Sequence, residues 1–435
     1  MRILFFLASL GCYCKFVVSA SDKRSSNHNG DRPVIAILSQ PLKGHQTKAR
    51  HESLVDDHEK NTKISRINSA KYDKDQAKDG DWHYIAASYV KWVESAGARS
   101  IVLPYDADEE LTREIFGQVN GILFPGGDAI LPRSAHLIYE MAVNANKKSG
   151  EYFPIWGTCL GFEFLVALAA NGGDSVLRSD YRSVNISIPL IMEDEGEGVG
   201  FGDFYSYSQL YPISSKVRKD VTNLPITFNN HVRGITPKEF KMDSGLTSVF
   251  QITSTNVDHR TGLEFVSTIE PKPNTNNDTY ILPFFGTQYH PEKNNFEYKL
   301  AVPTNSSSSM DLPYENINHS SEAVNLSLHL AKFFVDRVRE STVGSYTLIK
   351  RHPLIYSYET NTCRQNTDRI DLWRIGFEEI YCIPPAKHWI VEDHQDKESI
   401  TNDSKQKDRF KILQGQQENK QSHQKGFLRS FVKNQ

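Results

Sequence analysis

A single turn in the segment 154–170, PIWGTCLGFEFLVALAA, constrains the fold more than any other part of the sequence. An apolar run leads into residues 157–161, GTCLG, and an apolar helical pattern follows them as far as Gly172 and Gly173. The two glycines of GTCLG permit a tight, strained turn between a strand and a helix. A strand followed directly by a helix is typical of a parallel sheet that helices cover on both faces.

The rest of the chain between residues 32 and 171 has the same alternation. Strands are predicted in RPVIAILSQP at 32–41, SIVLPY at 100–105 and VNGILFPGG at 119–127. A helix that ends at Gly97 is predicted from four residues at helical spacing: Ile85, Tyr89, Trp92 and Val93. We therefore expect an α/β fold, with a central, mostly parallel sheet and helices on both faces.

Beyond residue 171 the alternation is less regular. Strands are predicted in four segments: 183–191, 248–256, 263–270 and 281–290. An amphipathic helix is predicted in 323–341, with Leu326, Leu330, Phe333, Phe334 and Val338 on one face. These elements extend the expected single domain over residues 32–385.

Two polar regions are expected to lie outside that fold. Residues 43–80 are rich in both charge signs and nearly free of aromatic side chains, which predicts a polar insert. Residues 386–435 are rich in Lys, Gln, Asn and Asp and predict a disordered tail.

The N-terminal residues 1–20 have the pattern of a signal peptide. Arg2 precedes an apolar run that only Lys15 interrupts, and Val18-Ser19-Ala20 offers small residues for cleavage. A membrane anchor is the competing interpretation, but the uninterrupted run is too short to span about 30 Å of hydrocarbon. We therefore expect a protein of the secretory pathway, located outside the cell or in a lysosomal or vacuolar lumen, with no membrane anchor.

The cysteines and the glycosylation sequons agree with a lumenal location. Cys363 and Cys382 are candidates for a disulfide, which an oxidising lumen permits, and Cys159 is then left over. Candidate glycosylation sites are Asn185, Asn277, Asn305, Asn318, Asn325 and Asn402. The formal net charge of −3 gives no basic surface for nucleic acid.

Cys159 has the sequence context of a nucleophile. It occupies the central position of the Gly-x-nucleophile-x-Gly turn, at the start of a helix whose dipole favours a thiolate. The backbone N–H of Leu160 is placed to bind an oxyanion in acyl transfer. A buried structural cysteine is the alternative interpretation.

A base for this nucleophile is predicted in FGTQYHPEK, residues 285–293. His290 follows an apolar strand, at the edge where functional groups gather in doubly wound folds. Glu292, two residues later, is a carboxylate that can fix the tautomer of the imidazole. No cluster of His, Cys, Asp and Glu has metal-ligand spacing, so neither a metal nor another cofactor is expected.

NGILFPGG, PIWGTCLGFEFL and GTQYHPEK, in this order, resemble the class I glutamine amidotransferase fold. The segment YIAASYVKWVESAGARSIVLPY is similar to one family on this fold, the gamma-glutamyl hydrolases, which cleave folylpolyglutamates. The resemblance runs from about residue 32 to about residue 383, outside the insert. It implies a cysteine hydrolase acting on a small molecule, poly-gamma-glutamylated folate, through a thioester.

The resemblance also implies roles for individual residues. Cys159 is the nucleophile, His290 the base and acid, and Glu292 the carboxylate that orients it. The turn at Gly126-Gly127 donates an oxyanion N–H from Gly127 beside that of Leu160. The resemblance leaves the oligomeric state open, with a homodimer as one candidate.

Two further residues lie in LPITFNNHVRGI, residues 224–235. The resemblance assigns His231 to substrate binding, although a histidine that caps loop backbone has the same local sequence. Arg233 beside it is a candidate for binding a substrate carboxylate, and an exposed arginine without such a role is the alternative. The acidic run in EDEGEGVGFGDF, residues 193–204, is an unexpected neighbour for a polyanionic substrate.

Other functions remain compatible with the sequence. A glutaminase subunit would share the three catalytic residues, but such subunits work with cytosolic partners. A secreted cysteine peptidase or amidase on the same fold would cleave other amide bonds. A catalytically silent binding glycoprotein would keep the fold alone.

Overall fold

The described chain contains fourteen strands and nine α-helices, from Val34 to Ile383. The computed structural model describes residues 32–42, 82–148, 150–193, 215–272, 280–300, 312–344, 352–362 and 376–386. The strands are β1 Val34–Leu38, β2 Gln40–Pro41, β3 His83–Ala86, β4 Arg99–Leu103, β5 Gly121–Phe124, β6 Ile155–Thr158, β7 Ser183–Ile188, β8 Ile191–Met192, β9 Thr227–His231, β10 Phe250–Val257, β11 Glu264–Pro271, β12 Phe284–Thr287, β13 Thr360–Thr362 and β14 Glu379–Ile383. The α-helices are α1 Ala87–Ser95, α2 Glu109–Gln118, α3 Arg133–Lys147, α4 Leu160–Ala169, α5 Ser215–Asn223, α6 Pro237–Met242, α7 Ser244–Val249, α8 Lys293–Phe296 and α9 Ser321–Arg339.

A central sheet of eight strands organises the domain. Its strand order is β4-β1-β5-β6-β12-β11-β10-β8. The pairs from β4 to β12 are parallel, and the pairs from β12 to β8 are antiparallel. This sheet confirms the expected α/β fold with a mostly parallel centre. The carboxyl ends of β1, β5, β6 and β12 meet at one edge.

Both faces of the sheet are covered, and β1 shows how. Val34, Ala36 and Leu38 pack into one buried cluster with residues of α2, α3 and α4. Ile35 and Ile37 point the opposite way, into a second cluster with residues of α1 and α9. Because successive side chains of a strand alternate between the two faces, one fully apolar strand supplies both clusters.

A second sheet of four strands, in the order β13-β14-β3-β2, was not predicted. Ile85, expected on the helix with Tyr89, lies in β3, and α1 begins only at Ala87. β3 pairs with β2 on one side and with β14 on the other. These pairings come from distant parts of the sequence, so the local helical spacing of Ile85 was misleading.

Several expectations concern residues outside the described ranges. The predicted signal peptide 1–20 and insert 43–80 lie outside them, as does the tail from residue 387; Ala386 is buried and donates its N–H to Asp106. Cys363 also lies outside them, and Cys382 in β14 is a free, buried thiol. Within the described part of the chain, no helix combines the length and apolar character needed to cross a bilayer.

Candidate active site

Cys159 occupies a strained turn between β6 and α4. Its backbone has φ 50° and ψ −104°, and its N–H donates to the carbonyl oxygen of Thr287 at 2.8 Å. Only glycine adopts positive φ without strain, so this conformation is held by the surrounding structure. A Cβ at position 161 would overlap the carbonyl oxygen of Phe124, which explains why this residue is a glycine. The turn has the geometry expected of a nucleophile elbow.

His290 reaches the cysteine from the next strand of the sheet. β12 ends at Thr287, and the His290 N–H then donates to the carbonyl oxygen of Phe228 in β9 at 2.8 Å. The imidazole Nδ1 donates to Oε1 of Glu292 at 2.7 Å. The imidazole is also hydrogen-bonded to the Cys159 side chain, and Nε2 is the ring nitrogen left for that contact.

The charges around His290 favour its protonated form. Burial lowers the pKa of His290, but the Glu292 carboxylate and the Cys159 sulfur outweigh that effect and raise the pKa to about 10. His290 and Glu292 are 4% and 0% exposed. A buried imidazolium between a sulfur and a carboxylate is the arrangement that stabilises a thiolate nucleophile.

The Gly126-Gly127 turn follows β5 and borders the cysteine. A Cβ on Gly126 would lie 2.6 Å from Cε1 of His290 and 3.3 Å from Cβ of Cys159, so this glycine is in close contact with the pair. Leu160 is the first residue of α4. Gly126 and the start of α4 therefore both lie next to Cys159.

Tyr89 is a site residue that sequence reasoning missed, because its spacing placed it on the core face of α1. Its hydroxyl oxygen accepts the Gly126 N–H at 2.7 Å and lies 3.4 Å from Nδ1 of His290. Burial and the Glu292 carboxylate raise the pKa of Tyr89. The phenol therefore stays neutral and holds the Gly126 peptide beside the histidine. A polar hydroxyl on an otherwise apolar helix face was the only sequence signal.

His231 lies at the end of β9, the strand that contacts the His290 backbone. Its Nδ1 donates to the carbonyl oxygen of Arg233 at 2.7 Å, and its ring packs edge-on against Phe265 with centroids 4.8 Å apart. The imidazole therefore makes a hydrogen bond to the backbone, as the alternative interpretation expected. His231 is the last residue of a strand, whereas that interpretation placed it in a loop.

Arg233 pairs with carboxylates of the protein itself. Its guanidinium lies 2.7 Å from Oδ1 of Asp174 and 3.7 Å from Oε2 of Glu163. Burial lowers the pKa of Arg233, and these two carboxylates raise it further than burial lowers it. Arg233 is therefore a fixed cation at this edge of the sheet.

Glu163 and Gln288 are two further buried polar residues that the sequence analysis did not select. Glu163 lies one helical turn after Cys159, and Nε2 of Gln288 donates to its Oε1 at 3.5 Å. A charged residue inside the apolar run LGFEFLVALA was the signal that could have identified Glu163. Among the described residues, no group of three or more His, Cys, Asp and Glu side chains could hold a metal ion.

Comparisons with known proteins identify the family of this chain. A family model described as Peptidase C26 matches residues 64–180. Gamma-glutamyl hydrolase B of Dictyostelium discoideum is 35% identical, over 61% of this chain and 68% of that protein. The chain belongs to the gamma-glutamyl hydrolase family. The human gamma-glutamyl hydrolase is 33% identical over 60% of this chain and 72% of its own, and the Bos taurus protein 34% identical over 63% and 78%.

The chain also aligns with solved structures. The glutaminase domain of Trypanosoma brucei CTPS with bound acivicin covers 74% of this chain and 99% of its own, at 11% identity and a TM-score of 0.37. So weak a similarity carries no conclusion about fold or chemistry.

The buried ion pair Lys293–Glu315 lies next to the His290–Glu292 pair in this family member. Lys293 donates from Nζ to both carboxylate oxygens of Glu315, at 2.7 and 2.5 Å. Asn230, next to His231 in β9, donates to the same carboxylate at 2.9 Å. Glu315 therefore links the segment that carries His290 to the strand that carries His231.

Proposed function

We propose that this protein is a cysteine hydrolase that cleaves the gamma-glutamyl bonds of folylpoly-gamma-glutamates. The observation that carries the proposal is the hydrogen-bonded series Cys159–His290–Glu292, built on a strained turn in a chain of the gamma-glutamyl hydrolase family. The names of its relatives and the thiol chemistry of the site point to the same reaction.

In the first step, the Cys159 thiolate attacks the side-chain carbonyl carbon of a gamma-linked glutamyl residue. A sulfur–carbon bond forms, and the carbonyl oxygen becomes an oxyanion beside the N–H groups of Gly127 and Leu160. His290 gives its proton to the departing amine, the carbon–nitrogen bond breaks, and a thioester remains.

In the second step, His290 takes a proton from a water molecule, which attacks the thioester carbon. The oxyanion forms again at the same N–H groups, and the sulfur–carbon bond then breaks. The products are a free gamma-carboxylic acid, which gives up its proton to the solvent, and the thiolate beside a protonated His290. Across both steps, one amide and one water become one carboxylic acid and one amine.

The remaining residues have supporting roles in this proposal. Glu292 holds the imidazole with Nε2 toward the sulfur and keeps it protonated. His231 and Arg233 bind the substrate, with the partly buried guanidinium supplying positive charge for a glutamate carboxylate. Because Arg233 already pairs with Asp174 and Glu163, a substrate carboxylate has to compete with them.

The test is hydrolysis of pteroyl-penta-gamma-glutamate from mildly acidic to neutral pH, with products separated by chain length and Cys159→Ala as the control. We expect cleavage that the variant lacks, and the product lengths distinguish internal from terminal cleavage. An intact substrate, together with a Cys159 that still reacts with a thiol probe, would show that the nucleophile is real and the substrate wrong.

We also propose that the chain enters the secretory pathway, loses residues 1–20 and carries N-linked glycans. The apolar run after Arg2 and the six sequons support this. Asn325 is exposed on α9, whereas Nδ2 of Asn318 donates to the Pro225 carbonyl oxygen at 2.9 Å and is the poorer acceptor. N-terminal sequencing of the secreted protein, and its mobility after glycosidase treatment, test the two parts separately.

A further inference from the structure

Gln40 carries a buried carboxamide. It is the first residue of β2, two residues after the end of β1, and is 2% exposed. Within the described part of the chain, neither its Nε2 nor its Oε1 has a hydrogen-bond partner. Leaving such a group unpaired in a protein interior is destabilising, so a carboxamide of this kind calls for an external partner.

The carboxamide lies against the turn proposed to bind the oxyanion. A Cβ on Gly127 would be 2.5 Å from Oε1 of Gln40 and 2.9 Å from its Cδ. β1 is the direct neighbour of β5, and Gly127 follows β5 at the carboxyl edge of the sheet. Gln40 therefore belongs to the same edge as Cys159 and His290.

The two glycines of the turn face different groups. A Cβ added to Gly126 would point toward His290, Tyr89 and Cys159, whereas a Cβ added to Gly127 would point toward Gln40. In the proposed reaction His290 protonates the leaving amine, so the leaving glutamate lies on the His290 side. In the same reaction, the side of the turn on which Gln40 lies is left for the glutamyl residue that becomes the acyl group.

We propose that Gln40 recognises this acyl-side glutamyl residue through its α-carboxylate and its α-nitrogen, and so selects gamma-linked over alpha-linked substrates. Nε2 donates to the α-carboxylate and Oε1 accepts the α-N–H, which uses both orphaned groups of the carboxamide. The inference rests on the proposed function and adds a specificity-determining residue to it.

The selectivity follows from where the reacting carbonyl sits in the substrate. In a gamma-linked residue, two methylene groups separate the attacked carbonyl from the α-carbon, so the α-carboxylate and α-N–H lie at a distance from the oxyanion site. In an alpha-linked peptide, the attacked carbonyl is attached to the α-carbon itself. Such a peptide offers no carboxylate and N–H at the Gln40 position, and the carboxamide stays unpaired.

The test compares pteroyl-di-gamma-glutamate with the analogue in which the α-carboxylate of the first glutamyl residue is a carboxamide. In the wild type we expect kcat/KM to fall about tenfold to a hundredfold for the analogue, the range for a hydrogen bond to a charged group. Gln40→Leu should lose about as much on the natural substrate and show no further loss on the analogue. Gln40→Glu, which repels a carboxylate, should prefer the analogue.

A matched control is Gln251→Leu in β10, four strands from β5 in the sheet, which should keep the wild-type ratio between the two substrates. The melting temperature of each variant separates misfolding from lost recognition. The inference is overturned if Gln40→Leu discriminates between the two substrates as strongly as the wild type. It is also overturned if the wild type has the same kcat/KM for the natural substrate and for the carboxamide analogue.

Calorimetry on Cys159→Ala, with and without Gln40→Leu, separates this inference from the proposed function. One outcome is that Cys159→Ala binds pteroyl-di-gamma-glutamate tightly only when Gln40 is present, while the wild type hydrolyses neither this compound nor its carboxamide analogue. That result would support recognition by Gln40 and contradict the proposed hydrolysis. Hydrolysis by the wild type with equal binding to both Cys159→Ala forms would retain the function and reject the role of Gln40.

Discussion

The nucleophile and its base are held in place by different physical means. Cys159 is positioned by backbone: a positive φ, a peptide hydrogen bond to Thr287, and a glycine at 161 that allows the chain to pass Phe124. His290 is positioned by buried charge, with the Glu292 carboxylate beside it and the Lys293–Glu315 pair behind it. The first arrangement stores conformational strain, and the second depends on every charge having its partner.

This difference predicts how each half responds to substitution. Removing the sulfur leaves the turn intact, because the backbone around it sets the geometry. Removing one charge behind His290 leaves its partner buried and unpaired, so damage spreads to stability. Substitutions on the nucleophile side should therefore separate activity from stability, and those on the base side should couple them.

The largest expected effect is on turnover, from His290→Asn. Without the imidazole neither proton transfer occurs, and kcat should fall about 10⁴-fold or more. The Cys159 thiol should also react more slowly with iodoacetamide at neutral pH, since the imidazolium no longer stabilises a thiolate. His259→Asn, at an exposed histidine, is the matched control and should retain wild-type kinetics.

Next in size is the cost of breaking the buried ion pair. Lys293→Met and Glu315→Gln, each alone, should lower the free energy of unfolding by about 3–5 kcal/mol, because each leaves a buried partner uncompensated. The double variant removes both charges and should lose markedly less than the sum. Urea denaturation of the four proteins measures this; strictly additive losses would mean that the pair is not coupled.

A smaller effect, with a pH signature, is expected from Glu292→Gln. The Glu292 carboxylate and the Cys159 sulfur together raise the pKa of His290 to about 10, so removing the carboxylate lowers that pKa and moves the alkaline loss of activity to lower pH. The rate should fall about 10²-fold. A pH–rate profile whose alkaline limb stays in place would show that Glu292 does not set the charge of His290.

The raised pKa of His290 also determines how the stability of the fold changes with pH. The pKa of His290 is raised above its ordinary value of 6.5, so protonation favours the folded state. The stabilisation is fully present below about pH 6.5 and is lost as the pH rises through about 10. Denaturation of wild type and Glu292→Gln at several pH values should show a weaker alkaline loss in the variant.

The smallest effect tests the strain at the nucleophile. At φ 50° glycine is unstrained, so Cys159→Gly should be more stable than Cys159→Ala by about 1 kcal/mol. Both variants should be inactive. Equal melting temperatures for the two would contradict a strained backbone at this position.

The sequence predicted the parts of the site that depend on local chain geometry. Cys159 was identified by its flanking glycines and His290 by its place after a strand, and both signals lie within a few residues. The parallel sheet was predicted for the same reason, since strand–helix alternation is a local pattern.

The parts that come together over long distances were not predicted. Tyr89 reaches Gly126 across 37 residues, and Lys293 meets Glu315 across a segment with no strong pattern. β3 was hidden because its partners, β2 and β14, lie far away in the sequence. Such contacts follow from the packed fold, which a local pattern does not encode.

The measurement that most directly tests the central claim is the mass of the enzyme during turnover. Wild-type protein is mixed with pteroyl-di-gamma-glutamate, quenched with acid within milliseconds to seconds, and mapped by peptide mass spectrometry. We predict a pteroylglutamyl adduct, held as a thioester on the peptide that contains Cys159, which hydroxylamine removes and which Cys159→Ala lacks. Product formation with no adduct on that peptide at any time, or with an adduct on another residue, would contradict Cys159 as the nucleophile.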